Sequence, residues 1–225
     1  MKNLKKKAWL FLALFALLTL LPLSAAKVKA DEKSPAASGT LGKTKVTYTF
    51  DEESGTLTLS GTGYTPTYSG NDTPFYQCTT IKHIVIEEGV TSLRQWLFYE
   101  LTGVESVSIP STVTSIDRDA FAGTSVIGDG FTVSADNTEF TSVDGSLFNK
   151  NKTILYKYAD KDASVYEDYT IPSGVTMIYG NAFCSETTLG TLTLTGKALQ
   201  LNEYALSEPQ IKHLAVSYTH LTLPT

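Results

Sequence analysis

Reactive side chains are scarce in this chain. Its 225 residues include two cysteines, three histidines, two methionines and two tryptophans, and only 18% of positions are charged. Two cysteines cannot staple a disulfide framework, and three histidines leave little material for a metal centre. Cys78 and His83 sit five residues apart with a strand-like stretch between them, which is no nucleophile–base arrangement. Asp117 with Asp119, and Asp160 with Asp162, lack the glycine and the spaced ligands of a calcium loop. There is no phosphate-cradling glycine motif. The sequence therefore reads as non-enzymatic, with no cofactor expected.

What is abundant is periodicity. Ile86, Ile109, Ile171 and Leu194 each begin the same pattern. Four residues on stand Val90, Val113, Val175 and Ala198. Seven on stand Leu93, Ile116, Ile178 and Leu201, and twelve on stand Phe98, Phe121, Phe183 and Leu206. The first two units and the last two are each offset by 23 residues. A unit this short cannot bury its own apolar face and does so only by stacking on its neighbours, so the pattern predicts a solenoid. A solenoid offers a long regular surface, and binding or display is the function class it favours.

The unit Ile109-Pro110-Ser111-Thr112-Val113-Thr114-Ser115-Ile116, followed by Ala120-Phe121, resembles the BspA-type leucine-rich repeat of bacterial surface proteins. Ile171-Pro172-Ser173-Gly174-Val175 with Ile178 and Ala182-Phe183 matches equally well, and the unit from Ile81 resembles it through Gly89-Val90-Thr91-Ser92-Leu93 and Leu97-Phe98. Ala205-Leu206 replaces the Ala-Phe pair in the unit from Leu189. The resemblance runs from about Gly39 to Leu214 and implies a right-handed β-solenoid, mainly β with short helical turns. It also implies export and binding, in a functionally diverse family. The family often carries a cysteine in its first glycine motif and a tryptophan after the proline, where Leu41 and Phe75 stand here.

Residues 1–30 read as an export signal. Lys2, Lys5, Lys6 and Lys7 precede an apolar run from Ala8 to about Leu23, and a small-residue cleavage site follows, ending at Ala26 or Ala30. The alternative, an uncleaved anchor, has a short apolar run for a span. Removing the six basic residues of this segment leaves 12 basic against 23 acidic residues, a net charge of −11. That balance argues against nucleic acid and anionic membranes as partners, and no membrane insertion is expected after cleavage. The expected location is secreted or at the surface of a Gram-positive-type bacterium. At the other end, Val216 to Thr225 read as the translation of a transposase sequencing adapter and are set apart as a scar, together with His220.

Between these ends, residues 31–38 read as a linker and 39–79 as an N-terminal hairpin cap. The hairpin joins the alternating stretches Lys45–Phe50 and Thr56–Ser60. Repeats fill 80–215, with an extended unit at about 126–165, where Val133 to Ile171 spans 38 residues. Its extra strands should meet at Asn149-Lys150-Asn151-Lys152. Ile84, Ile86, Val107, Ile109, Leu192 and Leu194 should point inward, and Cys78 and Cys184 should be unpaired, too far apart to bridge.

The outward strand positions are then His83 and Val85, Ser106 and Ser108, Asp168 and Thr170, Thr191 and Thr193. They form a candidate binding face for an extracellular protein or glycan, or alternatively an ordinary solvated strand surface. Trp96, Tyr156 and Tyr158 are candidate aromatic contacts. The reading is adhesion or recognition. Its rival is a structural spacer or targeting module of a longer surface protein or enzyme.

Overall fold

The computed structural model describes residues 32–162, 164–184, 187–195, 199–206 and 209–217. The expected signal lies outside them, as does all of the expected scar except Val216 and Ser217.

The chain winds as a β-solenoid, opened by β1 (Ser38–Thr40), β2 (Val46–Asp51) and β3 (Thr56–Gly61). β2 and β3 form an antiparallel hairpin from Val46↔Gly61 to Asp51↔Thr56, with β1 antiparallel on its outer edge. In β2 every second residue is buried, Val46, Tyr48 and Phe50, and the threonines between them face solvent. That period of two is what lets one face of the hairpin seal the coil beneath. Within residues 31–38, read above as a linker, the described part is tied to this cap: Thr79 N donates to Lys33 O (2.9 Å), and Phe50 N to Ala37 O (2.7 Å).

The coils follow. β4 (Gly63–Tyr64) is succeeded by β5 (His83–Ile86) and β6 (Val90–Leu93), then by β7 (Val104–Ile109) and β8 (Ser115–Ile116), and then β9 (Val126–Val133). Each coil gives one strand to a long sheet, ordered β1-β2-β3-β5-β7-β9, and one to a short sheet, β4-β6-β8. Pairing between coils is parallel, as a stacked repeat requires.

The extended unit interrupts this rhythm with β10 (Phe140–Val143), β11 (Ser146–Asn149) and β12 (Ile154–Lys157), an antiparallel meander. Asn149 holds the second hairpin, its Oδ1 accepting from Thr153 N (2.8 Å) and Ile154 N (2.9 Å). Winding resumes with β13 (Glu167–Thr170), β14 (Met177–Ile178), β15 (Thr188–Thr195), β16 (Gln200–Leu201) and β17 (Gln210–Ser217). β12 leads the parallel line β12-β14-β16, and β13-β15-β17 forms the second long face.

Inside, the phenylalanines of the first coils stack one on the next. Phe75 lies 6.0 Å from Phe98, and Phe98 lies 5.1 Å from Phe121, each pair within 26° of parallel. Phe75 thus takes the repeat position one period ahead of Phe98. Tyr48 closes the upper end edge-on at 5.0 Å and Phe131 the lower end at 5.4 Å. Past the meander a second core forms around Phe148, Ile171, Ile178 and Phe183. The six strand residues expected inward are all buried, and both cysteines are buried and unpaired.

The expected short helical turns are corrected by the structure. Among the described residues the one helical segment is the 3-10 turn Gly70–Asp72 in the cap region. The corners between coils bend through left-handed residues instead, with φ of 61° at Trp96, 53° at Glu100 and 58° at Asn181. A residue with positive φ cannot propagate a right-handed helix.

Candidate functional site

The outward strand residues lie where alternation puts them. His83 and Val85 flank buried Ile84, Ser106 and Ser108 flank buried Val107, and Thr191 and Thr193 flank buried Leu192. Asp168 and Thr170 are exposed on β13. The eight residues divide between two sheets, four on β5 and β7 and four on β13 and β15.

Several of these groups are already engaged. His83 Nδ1 shares a hydrogen with Ser106 Oγ at 2.9 Å, and Thr191 N donates to Asp168 Oδ1 at 2.7 Å. The face is also wider than the repeats alone would make it. Register pairs Thr49 with Thr58, Thr58 with Val85, Val85 with Ser108 and Ser108 with Thr132. The hairpin lies flush with the coils, so a row of four hydroxyl residues and Val85 crosses five strands, about 19 Å at ordinary strand spacing. The alternation in the hairpin was visible in the sequence. Its alignment with the first coil was not.

The aromatic candidates separate sharply. Tyr158 is 6% exposed, its ring 5.1 Å from Phe183 and 4.7 Å from Tyr169. It is a core residue and not a surface contact, because the meander turns it into the stacking position above Phe183. Tyr156 is half-buried, 4.3 Å from Tyr179 and edge-on to Phe140. Burial, and then a hydrogen bond with Tyr179, push its phenol far up. The two rings line a cleft of about 500 Å3 with Asp117, Arg118 and Glu139.

Trp96 is partly exposed at a corner, stacked on Tyr99 at 5.6 Å; Tyr99 stacks in turn on Tyr76 at 5.7 Å. A hydrogen bond to Glu100, and then burial, push the Tyr99 phenol up to about 12. Glu100 also accepts from Gln77 Nε2 at 2.9 Å.

Trp96 borders a second cleft, of about 370 Å3, that the repeat spacing builds. Trp96, Asp119, Asn181 and Tyr204 each stand two residues before the buried Phe98, Phe121 and Phe183 and the partly buried Leu206. Trp96 N donates to Asp119 O (3.1 Å), Asn181 Nδ2 to Asp119 Oδ1 (3.4 Å) and Asn181 N to Tyr204 O (2.9 Å). The four positions therefore form one line along the corner. Sequence reasoning missed Tyr204 and Asn181, although the offset of two from the core residue marks them.

Cys78 is fully buried, and that burial raises its thiol pKa, the reverse of what a nucleophile needs. Among the described residues no three histidine, cysteine or carboxylate side chains are grouped to hold a metal. No helix among them is long and apolar enough to cross a membrane.

A capped stack of parallel coils, with apolar residues turned into the core and strand faces turned to solvent, defines a leucine-rich-repeat β-solenoid. The family model for the BspA type leucine rich repeat region, in six copies, matches residues 68–155 and 138–224, and the chain belongs to that family. The chain is similar to a leucine-rich repeat protein from Eubacterium ventriosum, at 20% identity over 73% of this chain and 71% of that one, with a TM-score of 0.36. It is also similar to the pneumococcal vaccine antigen PcpA, at 15% identity over 82% and 71% of the two chains, TM-score 0.48. A leucine rich cell surface protein from Faecalibacterium prausnitzii is similar at 17% identity over 75% and 76%, TM-score 0.34. No curated protein matches the chain at a significant level.

Proposed function

We propose that the protein is an exported recognition module that binds an extracellular protein or glycan through contacts along its surface and performs no chemistry of its own. The observation that carries this reading is the continuous outward row Thr49, Thr58, Val85, Ser108 and Thr132, four hydroxyls and one valine set side by side across five strands. Membership of a bacterial surface-type repeat family supports the same reading and an envelope or secreted location. A flat hydroxyl-lined strip gains affinity by many weak contacts, so recognition would depend on area more than on any one residue.

The test is the full chain with Thr58→Lys and Ser108→Lys together, compared with the parent on immobilised matrix proteins and mucin-type glycoproteins. Saturable binding by the parent that the charged pair weakens supports recognition through this face. Absence of binding to every surface overturns the proposal.

A further inference from the structure

The corner cleft is built by side chains that its backbone does not favour. Among the described residues seven that are not glycine have positive φ, and four of these, Trp96, Glu100, Asn181 and Tyr204, border this one cleft. Asn181 suits such a backbone, since asparagine tolerates the left-handed region. Trp96 and Tyr204 do not, at φ of 61° and 62°. Packing gives no reason for Tyr204, which is 61% exposed. A strained backbone that carries an exposed aromatic ring marks a place to look for a functional contact.

The other lining groups narrow the ligand. Gln95 and Asn181 bring amides, Asp119, Glu100 and Glu203 bring carboxylates, and Arg118 brings a guanidinium. All six are planar groups able to hold two neighbouring polar atoms at once. Asp119 ties this set together, accepting from Gln95 Nε2 (3.3 Å), Arg118 Nε (3.3 Å) and Asn181 Nδ2 (3.4 Å), and the donor and acceptor positions left over suit a ligand that carries both. Hydroxyls do. A lysine-rich peptide would meet the carboxylates and rings favourably but would be opposed by Arg118, and an acidic sugar would be opposed by three carboxylates. With a ring at each end and polar groups between, the line spans three coil steps, about 14 Å.

The geometry points to a binding site for a neutral oligosaccharide, with Trp96 and Tyr204 stacking on sugar faces and Asp119 and Asn181 addressing hydroxyls between them. This rests on the recognition reading above and names the ligand class and the site.

Trp96 supplies the assay. The chain has two tryptophans, so the full-length Trp9→Phe variant leaves Trp96 as its one indole. Its emission is followed while neutral gluco-, manno-, galacto- and N-acetylglucosamine oligosaccharides are added, with sialyllactose and an oligolysine peptide as charged probes. Tyr204→Asn is the companion variant. It places at that corner the residue type found at Asn181, so folding is preserved.

The expected result is a saturable emission change with at least one neutral oligosaccharide, weakened by about tenfold in Tyr204→Asn. No saturation with any neutral probe overturns the assignment, as does saturation by oligolysine instead. Adhesion to glycoproteins separates the two proposals. Binding that survives both enzymatic deglycosylation and Tyr204→Asn leaves recognition standing and overturns the sugar site. Saturation of Trp96 by free sugar without adhesion to any surface upholds the site and removes the broader face.

Discussion

Phe98 is the middle rung of the aromatic stack, fully buried, with Phe75 at 6.0 Å on one side and Phe121 at 5.1 Å on the other. Truncating it to alanine removes the ring from a close-packed coil, for a cost of about 3–5 kcal/mol. Leucine is the more instructive change. It keeps most of the apolar burial but gives up two stacked contacts, each worth about 0.5–1.5 kcal/mol. From those two contacts alone, Phe98→Leu should cost about 1–3 kcal/mol. Phe183→Leu should cost less, since Phe183 has one stacked partner, Tyr158, and a looser edge contact to Tyr169 at 6.4 Å. Urea unfolding followed by circular dichroism, with Trp96 emission as a local probe two residues away, measures both. Because each coil leans only on its neighbours, the loss at Phe98 weakens the interfaces on both sides. A Phe98→Leu cost within about 0.5 kcal/mol of zero would refute the claim that stacking adds to simple burial.

Three further outcomes follow from buried or uncovered groups. Asn137 is 1% exposed and uses its whole amide, donating to Pro110 O (2.7 Å) and Val113 O (2.9 Å) and accepting from Glu139 N and Phe140 N; Asn137→Ala orphans those groups and should lower stability by about 2–4 kcal/mol in the same urea assay. Lys157 is buried without a carboxylate, its amine donating to Phe121 O (3.4 Å) and Asn181 O (2.8 Å), and burial holds its pKa below the usual range. The unfolded chain therefore binds the extra proton, so stability should rise with pH from the depressed folded pKa toward about 10.4, and Lys157→Met should flatten that rise. A slope unchanged in Lys157→Met would show that the amine is charged in the fold. Leu214 and Val216 on β17 are 55% and 47% exposed, although their register partners Leu192 and Leu194 are buried. Replacing both with threonine should reduce self-association in sedimentation velocity, and β17 amides should exchange faster than those of β7.

The solenoid was legible because its determinants are local and repeated. Ile109, Val113, Ile116 and Phe121 recur in type and offset, and a coil that stacks on copies of itself needs little long-range information. Phe75 shows the limit, since its surroundings lack the repeat motif although its ring joins the stack. The helical turns expected from the family pattern fail at Trp96 and Asn181, where backbone conformation follows from corner geometry that composition does not encode. Tyr158 failed for a related reason. Alternation within one strand tells inward from outward only when the strand's place in the sheet is known, and the meander reassigns it. The corner cleft was the least legible part: Trp96 and Tyr204 are 108 positions apart in sequence, and their approach depends on how the extended unit returns the chain to the stack.

The central claim is recognition outside the cell by contact alone. Surface plasmon resonance of the full chain over matrix proteins and glycoproteins, with the captured ligand examined afterwards by mass spectrometry, tests it most directly. The account predicts reversible, saturable binding to at least one surface and a ligand recovered with unchanged mass. No binding on any surface, or a ligand cleaved or modified after contact, would contradict it.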